Sequence, residues 1–141
     1  MVEIILNKIF KCGITKQLVF EVINLLSKKE KKVRGGVEIN IVGGSFIKKI
    51  NKEFRGLNEE TDVLSFAWAE DKIVKSDFLG QIYISYPRIK LQAKENNITI
   101  KEEFVRMLAH GVLHLIGYDH GSKAQANKMF KIQEDVVKKI C

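Results

Sequence analysis

The stretch of sequence that says most about the fold is His110-Gly111-Val112-Leu113-His114-Leu115-Ile116-Gly117-Tyr118-Asp119-His120, which contains all three histidines of this 141-residue chain. His110 and His114 are four residues apart, so on a helix their side chains project from one face, one turn apart. Gly117 can adopt the left-handed conformation that ends a helix and turns the chain. That turn lets His120 return toward the other two. We therefore predict a helix that ends in a three-histidine cluster.

This spacing predicts a metal site. Three protein ligands with water in an open fourth position are typical of catalytic zinc, whereas structural sites are usually closed by four ligands. No cysteine lies near the histidines to act as a fourth ligand. Imidazole nitrogens suit zinc best, and nickel, copper and iron also accept them. We expect one Zn²⁺ ion held by His110, His114, His120 and water. The alternative is that these are ordinary surface or core histidines.

The order His-x-x-x-His-x-x-Gly-x-x-His is also the spacing of the metzincin proteases. Those enzymes carry glutamate directly after the first histidine, as the general base that activates the zinc-bound water. Here that position is Gly111, which cannot accept a proton. Peptide hydrolysis by that mechanism therefore lacks its base, and a protease is the weaker interpretation.

Helix start signals lie on both sides of the histidines. Thr99-Ile100-Lys101-Glu102 fits a capping box, and so does Ser122-Lys123-Ala124-Gln125. The first predicts the beginning of the histidine helix, and the second predicts a helix that runs to the C-terminus. Further helices are predicted from Thr15, from an N-cap at Ser45, and from near Pro87 to about Asn96.

Strands are predicted between these helices, at residues 2–6, 37–41, 63–66 and 79–85, with a loop over residues 68–78. No internal repeat and no shift in composition marks a boundary. We expect one α+β domain over residues 1–141, with a small mixed β-sheet packed against several helices.

Composition narrows the classes of function. The chain is 45% hydrophobic and 29% charged, which is ordinary for a globular protein and excludes intrinsic disorder as its main state. The net charge is +7, which favours polyanionic partners such as RNA, DNA or an anionic membrane surface. Only four of the 24 basic residues are arginine, and dispersed lysine can equally reflect solubility.

Nothing in the sequence predicts a membrane or secreted location. No run of about 18 apolar residues is present, and the apolar run at the start is too short for a signal peptide. Cys12 and Cys141 form no Cys-x-x-Cys pair, which is typical of free thiols in a reducing compartment. We expect a cytoplasmic protein.

Three blocks of sequence resemble the YbeY family. The histidine block is similar to the hallmark of that family, and Phe54-Arg55-Gly56 followed by Thr61-Asp62-Val63-Leu64-Ser65-Phe66 resembles a second segment. Leu79-Gly80-Gln81-Ile82 resembles the strand that comes next in the family. The loop Leu57-Asn58-Glu59-Glu60 departs from the lysine-aspartate form that is commoner in the family, and so do two single positions. Gln81 stands where aspartate is usual, and Ala67 stands where proline is usual.

The resemblance implies a bacterial metal-dependent endoribonuclease. The expected function is zinc-dependent, single-strand-specific RNA cleavage in ribosomal RNA processing, at the 3′ end of small-subunit rRNA, and in ribosome quality control. The expected partners are RNA and the small ribosomal subunit. The resemblance also assigns Arg55 to clamping a phosphate and makes His114 essential for activity. The alternatives are a metal-dependent hydrolase of another substrate, such as a peptide, and a non-enzymatic, ribosome-associated RNA-binding protein with a structural metal.

Several residue roles stay open at this stage. Asp119 either accepts a hydrogen bond from a ligand imidazole or caps the turn. Ser65 is most simply an ordinary strand serine. The general base is not identified. Trp68, Tyr83 and Tyr86 are scattered in sequence, so no aromatic stacking platform of the kind found in single-strand binders is expected.

Overall fold

Strands and helices alternate along residues 2–68 and 78–141, which the computed structural model describes. The strands are β1 (Glu3–Lys8), β2 (Gly36–Val42), β3 (Val63–Ala67) and β4 (Phe78–Ser85). The helices are α1 (Lys16–Lys29), α2 (Gly44–Arg55), α3 (Tyr86–Glu95), α4 (Ile100–Leu115) and α5 (Lys123–Ile140). The predicted α+β class is confirmed. Most of the predicted loop at 68–78 lies outside the described residues.

The strands form one mixed sheet in the order β1-β2-β4-β3. β1 pairs with β2 and β2 with β4 in parallel, whereas β3 pairs with β4 antiparallel. Parallel neighbours require a crossover connection. Helix α1 lies in the connection from β1 to β2, and α2 lies in the longer connection from β2 to β4. The sheet is therefore small and mixed, as predicted from the alternation of elements.

The two faces of the sheet bury different sets of side chains because residues alternate along each strand. On one face Ile39, Ile41, Ile82 and Ile84 are fully buried in the main core, which α1, α4 and α5 complete. The other face carries a smaller cluster that includes Ile47 of α2. Helix α4 is the central helix, since about half of its residues are buried. The histidine helix thus lies against the sheet.

Most predicted helix starts are confirmed. The hydroxyls of Thr99 and Ser122 accept hydrogen bonds from backbone N–H groups three residues later, at 3.0 and 3.2 Å. Ser85 caps α3, and Pro87 lies in its first turn. No described helix is long and apolar enough to cross a membrane.

The prediction of Ser45 as an N-cap is wrong. Helix α2 begins at Gly44, and its N-cap is Gly43, which has no side chain to make a capping bond. The backbone N–H of Ile47 donates to the carbonyl of Gly43 at 3.1 Å, so the helical hydrogen bonds begin two residues before Ser45. A Cβ on Gly43 would lie 3.2 Å from the Phe10 ring, whereas one on Gly44 would meet only the movable carboxylate of Glu60.

Candidate metal centre

The three histidines converge at the end of α4. His110 and His114 lie on successive turns, and their Nε2 atoms are 3.0 Å apart. The helix ends at Leu115, and Gly117 follows with φ of 102°, the left-handed conformation that favours glycine. The chain then turns back and places the Nε2 atom of His120 3.4 Å from that of His110. The predicted three-histidine cluster is confirmed.

The donor set fits a single metal ion. One ligand atom from each histidine lies within 4.8 Å of the other two. Nitrogens bound tetrahedrally to zinc at 2.0–2.1 Å are about 3.3 Å apart, close to the two Nε2 separations observed here. Three imidazole nitrogens facing one another without a shared proton or cation would be unfavourable. The three histidines could therefore hold a metal ion.

Burial keeps two of these imidazoles in the neutral form that a metal requires. Burial lowers the pKa of His110, and the neighbouring His120 lowers it further, while the hydrogen bond to Gln133 opposes both effects. The pKa of His114 is also lowered, first by burial and then by the charges of the other two histidines. An imidazole that loses its proton readily presents its lone pair to a cation.

Gln133 of α5 contacts the cluster and was missed by the sequence analysis. Its side chain is buried, with 4% exposed, and its Oε1 atom lies 2.9 Å from Nδ1 of His110. A signal was present in the sequence. Gln133 lies four residues after Met129 and three before Val136, so this polar residue occupies the apolar face of the C-terminal helix.

Residues of the turn after α4 hold His120 in place. The Oδ1 atom of Asp119 accepts a hydrogen bond from the His120 backbone N–H at 2.6 Å, so Asp119 caps the turn. The Tyr118 hydroxyl donates to the carboxylate of Glu30, which follows α1. That bond raises the pKa of Tyr118 to about 12. Of the two roles left open for Asp119, the hydrogen bonds show the cap.

Gly111 allows α4 to lie close to the sheet. A Cβ built on Gly111 would be 3.1 Å from a methyl group of Ile82 and 3.2 Å from the hydroxyl of Ser65. The Ser65 hydroxyl in turn donates a hydrogen bond to the carbonyl of Gly111 at 3.1 Å. Ser65 is thus more than an ordinary strand serine, because it joins β3 to the histidine helix. A side chain at the position after the first histidine would require Ile82 and Ser65 to shift by a few tenths of an ångström.

Beside the histidines lies a cavity of about 720 Å³. His110 and His114 form part of its wall, and residues between Asn51 and Ala67 form much of the rest. Arg55 lines the same cavity, and its guanidinium donates a hydrogen bond to the Ser65 carbonyl at 3.2 Å. The guanidinium carbon also lies 5.6 Å from the centre of the Phe66 ring. The structure therefore places Arg55 in the wall of the cavity that also holds the histidines.

Aromatic side chains that are scattered in sequence are contiguous in space. The rings of Phe46, Tyr83, Phe66 and Phe54 follow one another with centroid separations of 6.3, 6.0 and 5.5 Å. The last ring, Phe54, is 63% exposed and lines the cavity. Pairing of β3 with β4 and packing of α2 bring these rings together, whereas the expectation that the chain has no RNA-stacking platform stays a prediction.

Gln81 lies on the opposite face of the sheet from α4. Its side chain donates a hydrogen bond to the Glu38 carboxylate at 2.7 Å, and Asn40 donates to the same carboxylate at 3.1 Å. Its neighbour Ile82 points the other way, into the core against α4. The departure from aspartate at this position therefore changes a polar group on the far face of the sheet.

Comparisons with known proteins agree on one family. The family model described as Endoribonuclease YbeY matches residues 7–141. A relative of that name from Sulfurihydrogenibium sp. is 36% identical over 140 residues, which cover 98% of this chain and 92% of the relative. A Bacillus subtilis protein of the same name is 36% identical over 137 residues, which cover 89% and 87% of the two chains.

A solved structure also resembles this chain. The solution structure of a Thermotoga maritima protein superposes with a TM-score of 0.65 and is 29% identical. The match covers 99% of this chain and 89% of the other. Because nearly the whole chain is covered, the two proteins share this fold.

Proposed function

This chain belongs to the YbeY family of endoribonucleases, and we propose that its residues 1–141 form one zinc-dependent domain that cleaves single-stranded RNA. The observation that carries the proposal is the convergence of three Nε2 atoms beside a cavity that Arg55 also lines. The relatives are named endoribonucleases, and three histidines with an open fourth position suit a catalytic metal. The proposed ligands are His110, His114 and His120.

Each residue has a distinct task in this proposal. Zinc held by the three histidines would supply a Lewis acid for the phosphoryl oxygens. Arg55 binds the negative charge of the phosphate through its planar set of N–H donors, which suits phosphate better than the point charge of lysine. Its hydrogen bond to Ser65 and its contact with Phe66 hold the guanidinium before substrate arrives. Less ordering is then needed when RNA binds.

Single-strand specificity follows from the exposed ring at the cavity. Phe54 precedes Arg55 in the chain, and both line the cavity. Any RNA base can stack on an aromatic ring, but a base is available for stacking only when it is not already stacked within a duplex. We infer that one base stacks on Phe54 while Arg55 binds a phosphate. This arrangement favours flexible, unpaired RNA.

Two features weigh against the alternative functions. Gly111 stands where zinc proteases with this histidine spacing carry their glutamate base, and it cannot accept a proton, which disfavours a peptide substrate. Three histidines leave the fourth position of a tetrahedral site open, which favours a catalytic metal over a structural one. The best-supported function is therefore nuclease rather than protease or scaffold.

Cleavage of a labelled single-stranded RNA tests the proposal. Wild-type and His114→Ala proteins are purified identically, stripped with a chelator, and assayed with and without added Zn²⁺. We expect zinc-dependent cleavage by the wild type alone. Equal cleavage by both proteins would show contamination or a metal-independent activity. Zinc-dependent hydrolysis of a peptide panel without RNA cleavage would support the peptide alternative, and tight RNA binding without turnover would support the scaffold.

A second experiment tests the stacking role of Phe54. Phe54→Leu keeps an apolar side chain but removes the ring, and Phe20→Leu is a matched control because Phe20 is 39% exposed on α1, outside the cavity. Stacking of one base contributes about 1–3 kcal/mol, so KM for single-stranded RNA should rise about fivefold or more in Phe54→Leu alone. An unchanged KM, or equal cleavage of duplex RNA by the wild type, would contradict this role.

We further propose a cytoplasmic role in maturing the 3′ end of small-subunit rRNA and in ribosome quality control. The net charge of +7 supports a polyanionic partner. The test uses small ribosomal subunits whose rRNA carries a 3′ extension, and the same RNA without its proteins. Shortening of the extension by the wild type and not by His114→Ala supports this role. Cleavage of other RNAs but never of this extension would exclude it.

A further inference from the structure

We propose that Gln133 is a positioning residue that holds His110 in the one neutral tautomer able to bind a metal through Nε2. The inference rests on the proposed function only in taking His110 as a metal ligand. It is carried by a directed set of hydrogen bonds that runs from Arg106 through Glu134 and Gln133 to His110. The direction of each hydrogen bond follows from which of the two atoms can donate and which can only accept.

The series of hydrogen bonds begins at an ion pair between Arg106 of α4 and Glu134 of α5. The Nε and Nη2 atoms of Arg106 donate to the two carboxylate oxygens of Glu134, each at 2.9 Å. Such a two-point contact fixes the carboxylate as well as neutralising it. These bonds lower the pKa of Glu134, so its oxygens stay ionised and can only accept hydrogen bonds.

The carboxylate determines how the Gln133 amide is oriented. Oε2 of Glu134 lies 3.0 Å from one side-chain atom of Gln133, and only the amide nitrogen can donate to it. The amide oxygen must then face His110, at 2.9 Å from Nδ1. An amide oxygen accepts and does not donate, so Nδ1 of His110 carries the proton. The lone pair of the neutral ring is therefore on Nε2, where the other two histidines converge.

Burial stabilises this orientation of the Gln133 amide. The Gln133 side chain is 4% exposed, so water competes little for its amide group. Arg106 is also held on its own helix, because Nη1 donates to Glu103, which is 4% exposed, at 3.1 Å. Glu103 accepts a further bond from Gln92 of α3 at 2.7 Å. Three helices thus define the position of the one hydrogen bond that orients His110.

Substitution of Gln133 separates this role from simple packing. Gln133→Met keeps the length of the side chain but removes the acceptor, and Gln133→Glu keeps an acceptor for Nδ1 although it loses the donor to Glu134. The same substitution on the exposed first turn of α5, Gln125→Met, is the matched control. Thermal unfolding shows which variants fold.

Two readouts need no RNA. The first is the Zn²⁺ dissociation constant of the stripped protein, measured by competition with a chelator. Loss of a hydrogen bond to a ligand histidine typically weakens metal binding about 10- to 100-fold, and we expect this for Gln133→Met. Gln133→Glu should bind zinc within about tenfold of the wild type, and Gln125→Met should equal it. The second readout is the tautomer of His110, from long-range ¹H–¹⁵N spectra of the metal-free protein above pH 7.

The outcomes decide the proposal independently of catalysis. A wild-type spectrum with the proton on Nδ1 of His110, together with weakened zinc binding in Gln133→Met, supports it. A wild-type spectrum with the proton on Nε2 overturns it, even if Gln133→Met does not fold. Zinc affinity in Gln133→Met within twofold of the wild type also overturns it. If zinc binds as expected but no RNA is cleaved, the nuclease proposal fails and the positioning role stands.

Discussion

Replacing Arg55 with alanine is the sharpest test of how substrate is bound, because this side chain is exposed and contributes little to the fold. Among residues 2–68 and 78–141 the guanidinium makes one hydrogen bond, to the carbonyl of Ser65, and it lies over the ring of Phe66. Exposed contacts of this kind contribute roughly 0.5–1 kcal/mol. The free energy of unfolding should therefore fall by less than about 1 kcal/mol, and the zinc content should be unchanged.

The effect of the same substitution on cleavage should be much larger. A hydrogen bond to a charged group contributes about 1.5–3 kcal/mol, and loss of that amount from the transition state lowers kcat/KM by roughly 10- to 150-fold. Arg55→Lys should recover only part of the loss, since an ammonium group cannot bind two phosphate oxygens in the planar manner of a guanidinium.

The assay measures kcat/KM on a labelled single-stranded RNA beside zinc stoichiometry and urea denaturation. Arg34→Ala is the matched control, because Arg34 is exposed between α1 and β2, outside the cavity, and its loss changes the net charge equally. A kcat/KM for Arg55→Ala within twofold of Arg34→Ala would refute the phosphate-binding role. A large loss of zinc or stability in Arg55→Ala would show that Arg55 supports the fold instead.

Three further predictions follow from burial and packing. The pKa values of His110 and His114 are lowered from 6.5 in the metal-free folded state, so the unfolded state binds more protons below that pH. The free energy of unfolding should then be constant above about pH 6.5 and fall as the pH drops toward the lowered pKa values of the folded state. A urea-unfolding midpoint that does not change between pH 7 and pH 5 would contradict this. Gly80 has φ of 152°, and a Cβ there would lie 2.1 Å from a carbonyl oxygen of β3, so Gly80→Ala should lower the free energy of unfolding by about 3 kcal/mol. Gly13→Ala, with no atom within 4 Å of the added Cβ, is its control and should change stability little, and equal denaturation curves for the two would refute the steric argument. Gly111→Glu should reduce the yield of folded protein and produce no peptide hydrolysis, whereas zinc-dependent cleavage of a peptide panel by this variant would show that the missing base alone had excluded protease activity.

Sequence reasoning succeeded wherever the relevant groups are close along the chain. His110 and His114 are one helical turn apart, so their convergence follows from helix geometry alone. The left-handed turn at Gly117 and the hydroxyl caps at Thr99 and Ser122 are also local, and each depends on three or four neighbouring residues. Strand-forming residue types, with alternation of apolar and polar residues in β2, were sufficient for the four strands of the described chain.

Sequence reasoning failed at one helix start and where distant segments meet. The N-cap of α2 is Gly43 rather than Ser45, because the carbonyl of Gly43 accepts the first helical hydrogen bond, from Ile47. Residue preference alone favours the hydroxyl of Ser45 for that position. The four aromatic rings beside the cavity come from α2, β3 and β4, so their contiguity depends on strand pairing and helix packing.

The sequence by itself determined the class of fold, the histidine cluster and the absence of a protease base, because each of these is written in short-range spacing or in residue type. Only the tertiary structure decided that Gln133 orients His110, that Arg55 and Phe54 share a cavity with the histidines, and that Gly111 lies against Ser65. Those relations join distant residues, with 23 positions between His110 and Gln133 and 46 between Ser65 and Gly111. The physical reason is that contacts between residues so far apart in sequence depend on how α4 and α5 pack on the sheet. That packing depends on the whole core at once.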